Sequence, residues 1–173
     1  MAFPRLVLKP SKLDGVGVWT TQRIEAGAPV LRFDGPTMTS ARLPADDDVT
    51  GARDRYMQIG PDRYLGPSGK LDDHVNHSCA PNTAVRISPG KVALEGPIVR
   101  LVALAPIEAD TEVTWDYSTT MLKDPWTMRC RCRSPRCRRT VKEWSRLPAE
   151  VQRQHVRSGM VPAYVLAAWK GPG

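Results

Sequence analysis

The sequence predicts a mainly β fold that ends in short helices. Three observations lead there. Short apolar, β-branched runs recur along the first two thirds of the chain, each closed by Gly, Pro or Asp. Sixteen prolines and thirteen glycines among 173 residues suit many short strands joined by turns. Helical spacing is confined to the C-terminal end.

The elements follow in order. Arg5–Lys9 is a short apolar run, and Lys12–Thr20 reads as a turn opening into a strand. Pro29–Phe33 is a further strand, stopped by Asp34-Gly35-Pro36. Residues 37–54 are polar, with aspartates at 46, 47 and 48, and predict a loop or short helix. Tyr56–Ile59 and Arg63–Leu65 flank Gly60-Pro61-Asp62, the pattern of a hairpin. Thr83–Ile87, Ser88-Pro89-Gly90 and Lys91–Leu94 predict a second hairpin. Ile98–Leu104 is apolar enough to be a central strand, and Glu112–Tyr117 is a further short one. Helices are expected over Pro148–Arg157, with Pro near the start, and over Pro162–Trp169.

A chain of this length suits one domain with one core. Hydrophobic residues make up 41%, too many for a disordered chain. No apolar run reaches the roughly 18 to 20 residues that span a bilayer, and the first residues lack an apolar stretch of signal-peptide length. A cytoplasmic protein without a membrane partner is therefore expected. The formal charge of +7 favours acidic partners such as nucleic acid or nucleoprotein. Much of it is local: Arg129, Arg131, Arg133, Arg136, Arg138 and Arg139 crowd one segment. A basic face that only keeps the protein soluble is an equally open reading.

That segment also holds Cys130, Cys132 and Cys137. Disulfides are disfavoured in a reducing compartment, and a bridge between residues two apart is strained. Metal binding accounts better for the spacing. Zinc takes four thiolate or imidazole ligands. Cys79 is the one cysteine left, so the arithmetic closes on Cys79, Cys130, Cys132 and Cys137.

Three further pieces carry chemistry. No GxGxxG follows a strand, so a Rossmann site is not indicated. Gly15-Val16-Gly17 is a GxG, by itself a turn signal. Asn76-His77-Ser78-Cys79-Ala80-Pro81-Asn82 offers an amide and an imidazole before a proline loop, a set that also fits a plain turn. Glu112-Val113-Thr114-Trp115-Asp116-Tyr117 ends on a tyrosine that also fits a strand residue with a surface hydroxyl.

Taken together, the last two pieces and the cysteine segment resemble the NHSCxPN, ELTxDY and CxCxxxxC motifs of SET-domain protein lysine methyltransferases. The resemblance covers about Arg5 to Arg139, with Ile24, Gly27, Phe33 and Gly35 at matching spacings. It implies small sheets with a pseudoknot-like threading of the C-terminal motif past Asn76–Cys79. It divides the chain into a SET domain (5–122), a post-SET zinc segment (123–139) and a C-terminal helical extension (140–173).

The resemblance implies methyl transfer from S-adenosylmethionine to a lysine side chain of a protein or peptide. Gly15, Val16, Gly17, Asn76 and His77 would contact the cofactor, with Tyr56 and the backbone around Arg131 as weaker contacts. Tyr117 would orient the amine and help stabilise the transferring methyl. Trp115 stands in the substrate channel where the family mostly carries Phe or Tyr. Cys79 would complete the zinc site of Cys130, Cys132 and Cys137. His74 is expected to pack. A nucleic-acid-associated protein is one candidate carrier of the lysine. Two other readings stay open: a binding module that keeps the fold and zinc without catalysis, and a small zinc protein that binds nucleic acid through its arginines. The sequence leaves the oligomeric state and the role of the tail open.

Overall fold

β-branched and aromatic side chains suit a pleated, half-buried surface, and the short runs that carry them fold as strands. The structure is a computed structural model that describes residues 3–45, 51–90 and 96–171. In chain order the described strands are β1 (Leu6–Pro10), β2 (Val16–Thr20), β3 (Pro29–Phe33), β4 (Thr37–Met38), β5 (Met57–Gly60), β6 (Arg63–Leu65), β7 (Asn76–His77), β8 (Thr83–Ser88), β9 (Ile98–Ala103), β10 (Thr111–Glu112), β11 (Thr114–Trp115), β12 (Met128–Arg129) and β13 (Thr140–Val141). Two helices close the chain, α1 (Ala149–Arg157) and α2 (Ala163–Ala168).

The strands form small sheets, in the orders β1-β2-β10, β3-β9-β8 and β4-β6-β5, with the pairs β7-β11 and β12-β13. As its apolar sequence predicts, β9 lies between two partners. Val18, Val30, Val85, Val99, Leu101 and Val113 are fully buried where these sheets pack together. A second cluster gathers Met121, Trp126 and Val141 around the cysteines. A third packs Trp144, Leu147, Val161 and Val165 between the tail and the rest.

Most expected elements stand where the sequence puts them, the 57–65 hairpin and both helices included. Three differ. The arm Lys91–Leu94 of the second hairpin lies outside the described residues, and the partner of β8 is β9, from Thr83↔Ala103 to Ser88↔Ile98. The aspartates at 46–48 also lie outside them; the described parts of 37–54 form β4 and 3-10 turns at Ser40–Arg42 and Ala52–Arg55. The stretch Glu112–Tyr117 is not one strand. It breaks at Val113, whose fully buried side chain enters the core, and Tyr117 opens a 3-10 turn to Thr119.

The pairing that builds the site is parallel: Thr114 lies beside Asn76 and Trp115 beside His77. Two chain segments far apart in sequence are thus held side by side, as the threading requires. Asn82 clamps them: its Oδ1 accepts from the Thr114 amide at 2.9 Å and its Nδ2 donates to the Glu112 carbonyl at 2.8 Å. Thr83 adds a hydroxyl bond to the Thr114 carbonyl at 2.8 Å. Among the described residues no helix is long and apolar enough to cross a membrane.

Candidate functional site

Two side chains approach Gly17 closely. A Cβ there would lie 2.8 Å from Glu112 Cδ and 3.2 Å from Asn76 Nδ2. Gly15 takes a left-handed backbone, φ 47°, which glycine adopts at little cost. The Asn76 amide then donates to the Asp14 and Val16 carbonyls at 3.1 and 3.2 Å and to Glu112 Oε1 at 2.9 Å. Ser11 donates to the same carboxylate at 2.8 Å. Asn76 therefore stitches the glycine loop to both motif strands.

Asp116 and Tyr117 follow directly. Asp116 is buried, and its Oδ1 accepts from Arg138 at 2.7 Å and from the Ser118 amide at 3.1 Å. Its Oδ2 accepts from His155 Nε2 at 2.8 Å. Burial alone would raise the carboxyl's pKa, but the bond from His155 and the charge of Arg138 outweigh it and hold Asp116 ionised, well below the usual carboxylate range.

Tyr117 is fixed at both ends. Its amide donates to His77 Nδ1 at 3.2 Å and its hydroxyl donates to the Val75 carbonyl at 2.7 Å. Because Nδ1 accepts, the imidazole proton sits on Nε2, which lies 3.3 Å from Cys79 Sγ and donates to it. Burial and the neighbouring Arg138 pull the His77 pKa down to about 4, so the ring is neutral. The Tyr117 ring is caged by Trp115, His77 and Trp126, with centroids 4.7, 5.2 and 6.4 Å away. Burial, then the charges of Asp54, Asp14 and Glu112, raise its phenol above the ordinary range.

Two cavities meet at this tyrosine. One, of about 190 Å³, is lined by Asp14, Asn76, His77, Met128, Arg131 and Cys132, with Tyr117 in its wall. The other, of about 80 Å³, is a smaller slot between Phe33, Tyr56, Trp115 and Trp126, again with Tyr117 in its wall and with Asp54, Asp72, Asp73 and Asp124 in its lining. The Arg53–Asp124 ion pair, buried on both sides, joins the 52–55 turn to the segment after Tyr117, and Asp54 accepts from Trp126 Nε1 at 2.6 Å. Removing one partner of such a pair strands the other charge. Arg53→Met is therefore expected to lower the unfolding free energy by about 3 kcal/mol. The loss should shrink to less than half in an Asp124→Asn background. Chemical denaturation of both series measures this; equal losses in the two backgrounds would contradict the pairing.

The four cysteine sulfurs lie within 4.8 Å of one another, and Cys79 and Cys130 are 3.7 Å apart. Ligands about 2.3 Å from a tetrahedral ion are separated by roughly 3.8 Å, so the set can hold a metal. Backbone amides of Cys132, Arg138 and Arg139 point at the sulfurs of Cys130, Cys79 and Cys137, each at 3.4 Å. Left-handed backbone at Arg133 and Arg139 shapes these turns. Arg138 turns its guanidinium to Asp116, and Arg131 pairs with Asp14 at 2.8 Å.

The structure thus brings Asn76, His77, Arg131, Tyr117 and the cysteines into one region. Tyr56 and Trp115 line the slot and not the larger cavity. Gly15, Val16 and Gly17 line neither; they reach the site through Asn76. His74 is exposed and does not pack, because its neighbours Asp72 and Val75 take the inward positions. The tail lines neither cavity but braces the floor beneath them: Tyr164 donates to the Gln58 carbonyl at 3.0 Å and also bonds the Thr120 carbonyl. Sequence reasoning missed Asp116, Arg138, His155 and the Arg53–Asp124 pair. Only Asp116 carried a signal, as the neighbour of Tyr117.

Comparison with known proteins gives the class. The family model for the SET domain matches residues 15–118, more than half of the chain, and the chain belongs to the SET-domain family. It is similar to the "Variant-silencing SET domain-containing protein" of Plasmodium falciparum, with 27% identity over 142 residues, 76% of this chain and 5% of that protein. It is similar to the human "Histone-lysine N-methyltransferase, H3 lysine-36 specific", with 28% identity over 149 residues, 78% of this chain and 5% of that protein. The chain thus spans about a twentieth of these relatives' length. Among solved structures it is similar to KRYPTONITE in complex with mCHH DNA, an H3(1-15) peptide and SAH, with a TM-score of 0.63 and 22% identity, covering 82% of this chain and 30% of that one. That likeness is one of fold.

Proposed function

We propose that this chain is an S-adenosylmethionine-dependent protein-lysine N-methyltransferase with a zinc-bound post-SET segment. The observation that carries the reading is the meeting of two unlike cavities at Tyr117, one polar and roomier, the other a smaller, partly aromatic slot. The names of the relatives, histone-lysine methyltransferases among them, support it. The proposed units are a SET domain over 5–122, the zinc segment over 123–139 and a helical extension over 140–173.

The donor set fits the two groups. Asn76, His77 and Arg131 offer an amide, a neutral imidazole face and a cation in the polar cavity, suited to a zwitterionic nucleoside cofactor. Four clustered sulfurs with amide donors fit zinc. When bound, S-adenosylmethionine supplies a methyl on a sulfonium, an excellent leaving group, so what the protein must add is alignment.

In this reading the slot of Phe33, Tyr56, Trp115 and Trp126 takes the lysine stem, with Asp54, Asp72, Asp73 and Asp124 also in its lining. A lysine in water has a pKa of about 10.4 and must lose its proton to attack. Desolvation in the slot and the neighbouring sulfonium favour the neutral amine, against the pull of the carboxylates in the lining. Because the Tyr117 hydroxyl spends its proton on the Val75 carbonyl, its oxygen is left to accept from the amine and from the polarised methyl. Tyr117 is not the base.

This makes a pH prediction. The neutral amine fraction grows with pH while the raised Tyr117 phenol stays protonated. Transfer by a stably folded protein should climb from about pH 7 to 10 without a downturn from the tyrosine. Initial rates across that range test it, and a loss of rate with a midpoint near the ordinary tyrosine value of about 10 would contradict it.

For the substrate, we propose a lysine on a nucleic-acid-associated protein. The relatives' names point to histones, and the exposed Arg129, Arg133, Arg136 and Arg139 offer phosphate contacts near the site. Labelled S-adenosylmethionine incubated with core histones and with a lysine-containing protein pool is the test. Label on lysine is expected. A protein that binds nucleic acid in a salt-dependent way but neither binds the cofactor nor transfers label would overturn the enzyme reading.

A further inference from the structure

The tail is outside the segment that the SET model matches, yet it reaches Asp116, the residue before Tyr117. Helix α1 buries His155 and aims its Nε2 at Asp116 Oδ2, 2.8 Å away. The other carboxylate oxygen is held separately, by Arg138 and by the Ser118 amide. Among the described residues His155 is the partner of Oδ2. We infer that His155 is a positioning residue for methyl transfer: by holding the second oxygen of Asp116 it fixes the turn that presents Tyr117. The inference rests on the proposed methyltransferase reading.

The geometry gives the reason. Asp116 caps the Tyr117–Thr119 turn, accepting from Ser118, while the Thr119 hydroxyl bonds the Asp116 carbonyl at 2.7 Å. A carboxylate held by one oxygen can swivel about its Cβ–Cγ bond; held by both, it cannot. The swivel would move the Ser118 amide and with it the start of the turn, where the Tyr117 amide meets His77. Small displacements of a positioned group cost transfer rate far more than they cost binding. The anchor is itself braced. Trp144 packs beside His155 with ring centroids 6.4 Å apart, and Gln152 donates to the Trp144 carbonyl at 2.8 Å. Helix α1 is therefore seated as a rigid support for one hydrogen bond.

His155→Ala should leave zinc content and KM for both the methyl donor and the lysine substrate within about twofold of wild type, and lower kcat by about tenfold. His155→Gln carries an N–H at similar reach and should recover kcat to within about threefold. Arg153→Ala, on the exposed face of the same helix, is the control and should behave as wild type. Amide hydrogen exchange gives a readout that needs no activity. His155→Ala should speed exchange at Ser118 and Thr119 and leave β8 and β9 unchanged. A His155→Ala protein with unchanged kcat, one whose loss falls on KM or that His155→Gln fails to restore, or one with unchanged exchange at Ser118 and Thr119, overturns the inference. If the wild type itself transfers no methyl group, the methyltransferase reading fails, and the exchange result alone then decides whether His155 holds the turn.

Discussion

Tyr117→Phe should lower methyl transfer by about a hundredfold to a thousandfold while leaving cofactor affinity within about threefold, on the scale set by removing one aligned polar group from a transition state. Tyr117 lines both cavities, and its hydroxyl proton is already committed to the Val75 carbonyl. Phenylalanine keeps the ring cage of Trp115, His77 and Trp126, so folding and both cavities should survive. Single-turnover rates and calorimetric binding of S-adenosylhomocysteine separate the two effects. Full transfer by the variant would remove Tyr117 from the chemistry; lost binding would make it a packing residue.

Removal of the metal should have the other large effect. Purified protein is expected to contain about one zinc per chain, and a structural site of this kind contributes on the order of 10 kcal/mol to ordering its segment. Met128, Arg129, Arg131 and Cys132 line the polar cavity, so releasing that segment opens it. Chelation, or Cys130→Ser, should cost about a hundredfold in cofactor affinity, on the upper scale of metal-site disruption. The β3-β9-β8 sheet should stay folded. In the metal-free protein burial pushes the Cys79 thiol up to about 11, so loading expels a proton and zinc affinity should rise with pH. Elemental analysis and cofactor titration before and after chelation check this. A folded, metal-free protein with undiminished cofactor affinity would contradict it.

What was legible in the sequence was local or chemically rare. Three cysteines within eight residues point to a shared site, and the structure gathers them with the fourth, Cys79. Strands of four to six residues between prolines and glycines announce themselves, and β3 and β9 fall where their apolar runs do. The break at Val113 was hidden because an apolar residue between two polar ones looks like strand alternation; what ends the strand is the pull of Val113 into the core and the cap that Asp116 places on the next turn.

Long-range polar pairs were not legible. Arg53 and Asp124 are 71 residues apart, and His155 and Asp116 are 39 apart; nothing in the spacing of either sequence neighbourhood marks them as partners. Burial makes these pairs consequential, and burial is a property of the fold. The glycine loop shows the intermediate case. The resemblance assigns its residues to the cofactor; the structure adds that the Val16 carbonyl, with that of Asp14, accepts from Asn76, and that Glu112 and Asn76 lie close against Gly17.

In the proposed reading Tyr117 is the meeting point of a cofactor cavity and a lysine slot. A crystal structure of the zinc-loaded protein with S-adenosylhomocysteine and a lysine peptide tests it most directly. The nucleoside should lie against Asn76, His77 and Arg131, the lysine stem between Tyr56, Trp115 and Trp126, and the two ligands should converge at the Tyr117 hydroxyl. A cofactor bound elsewhere, or a slot closed to the lysine side chain, would contradict it.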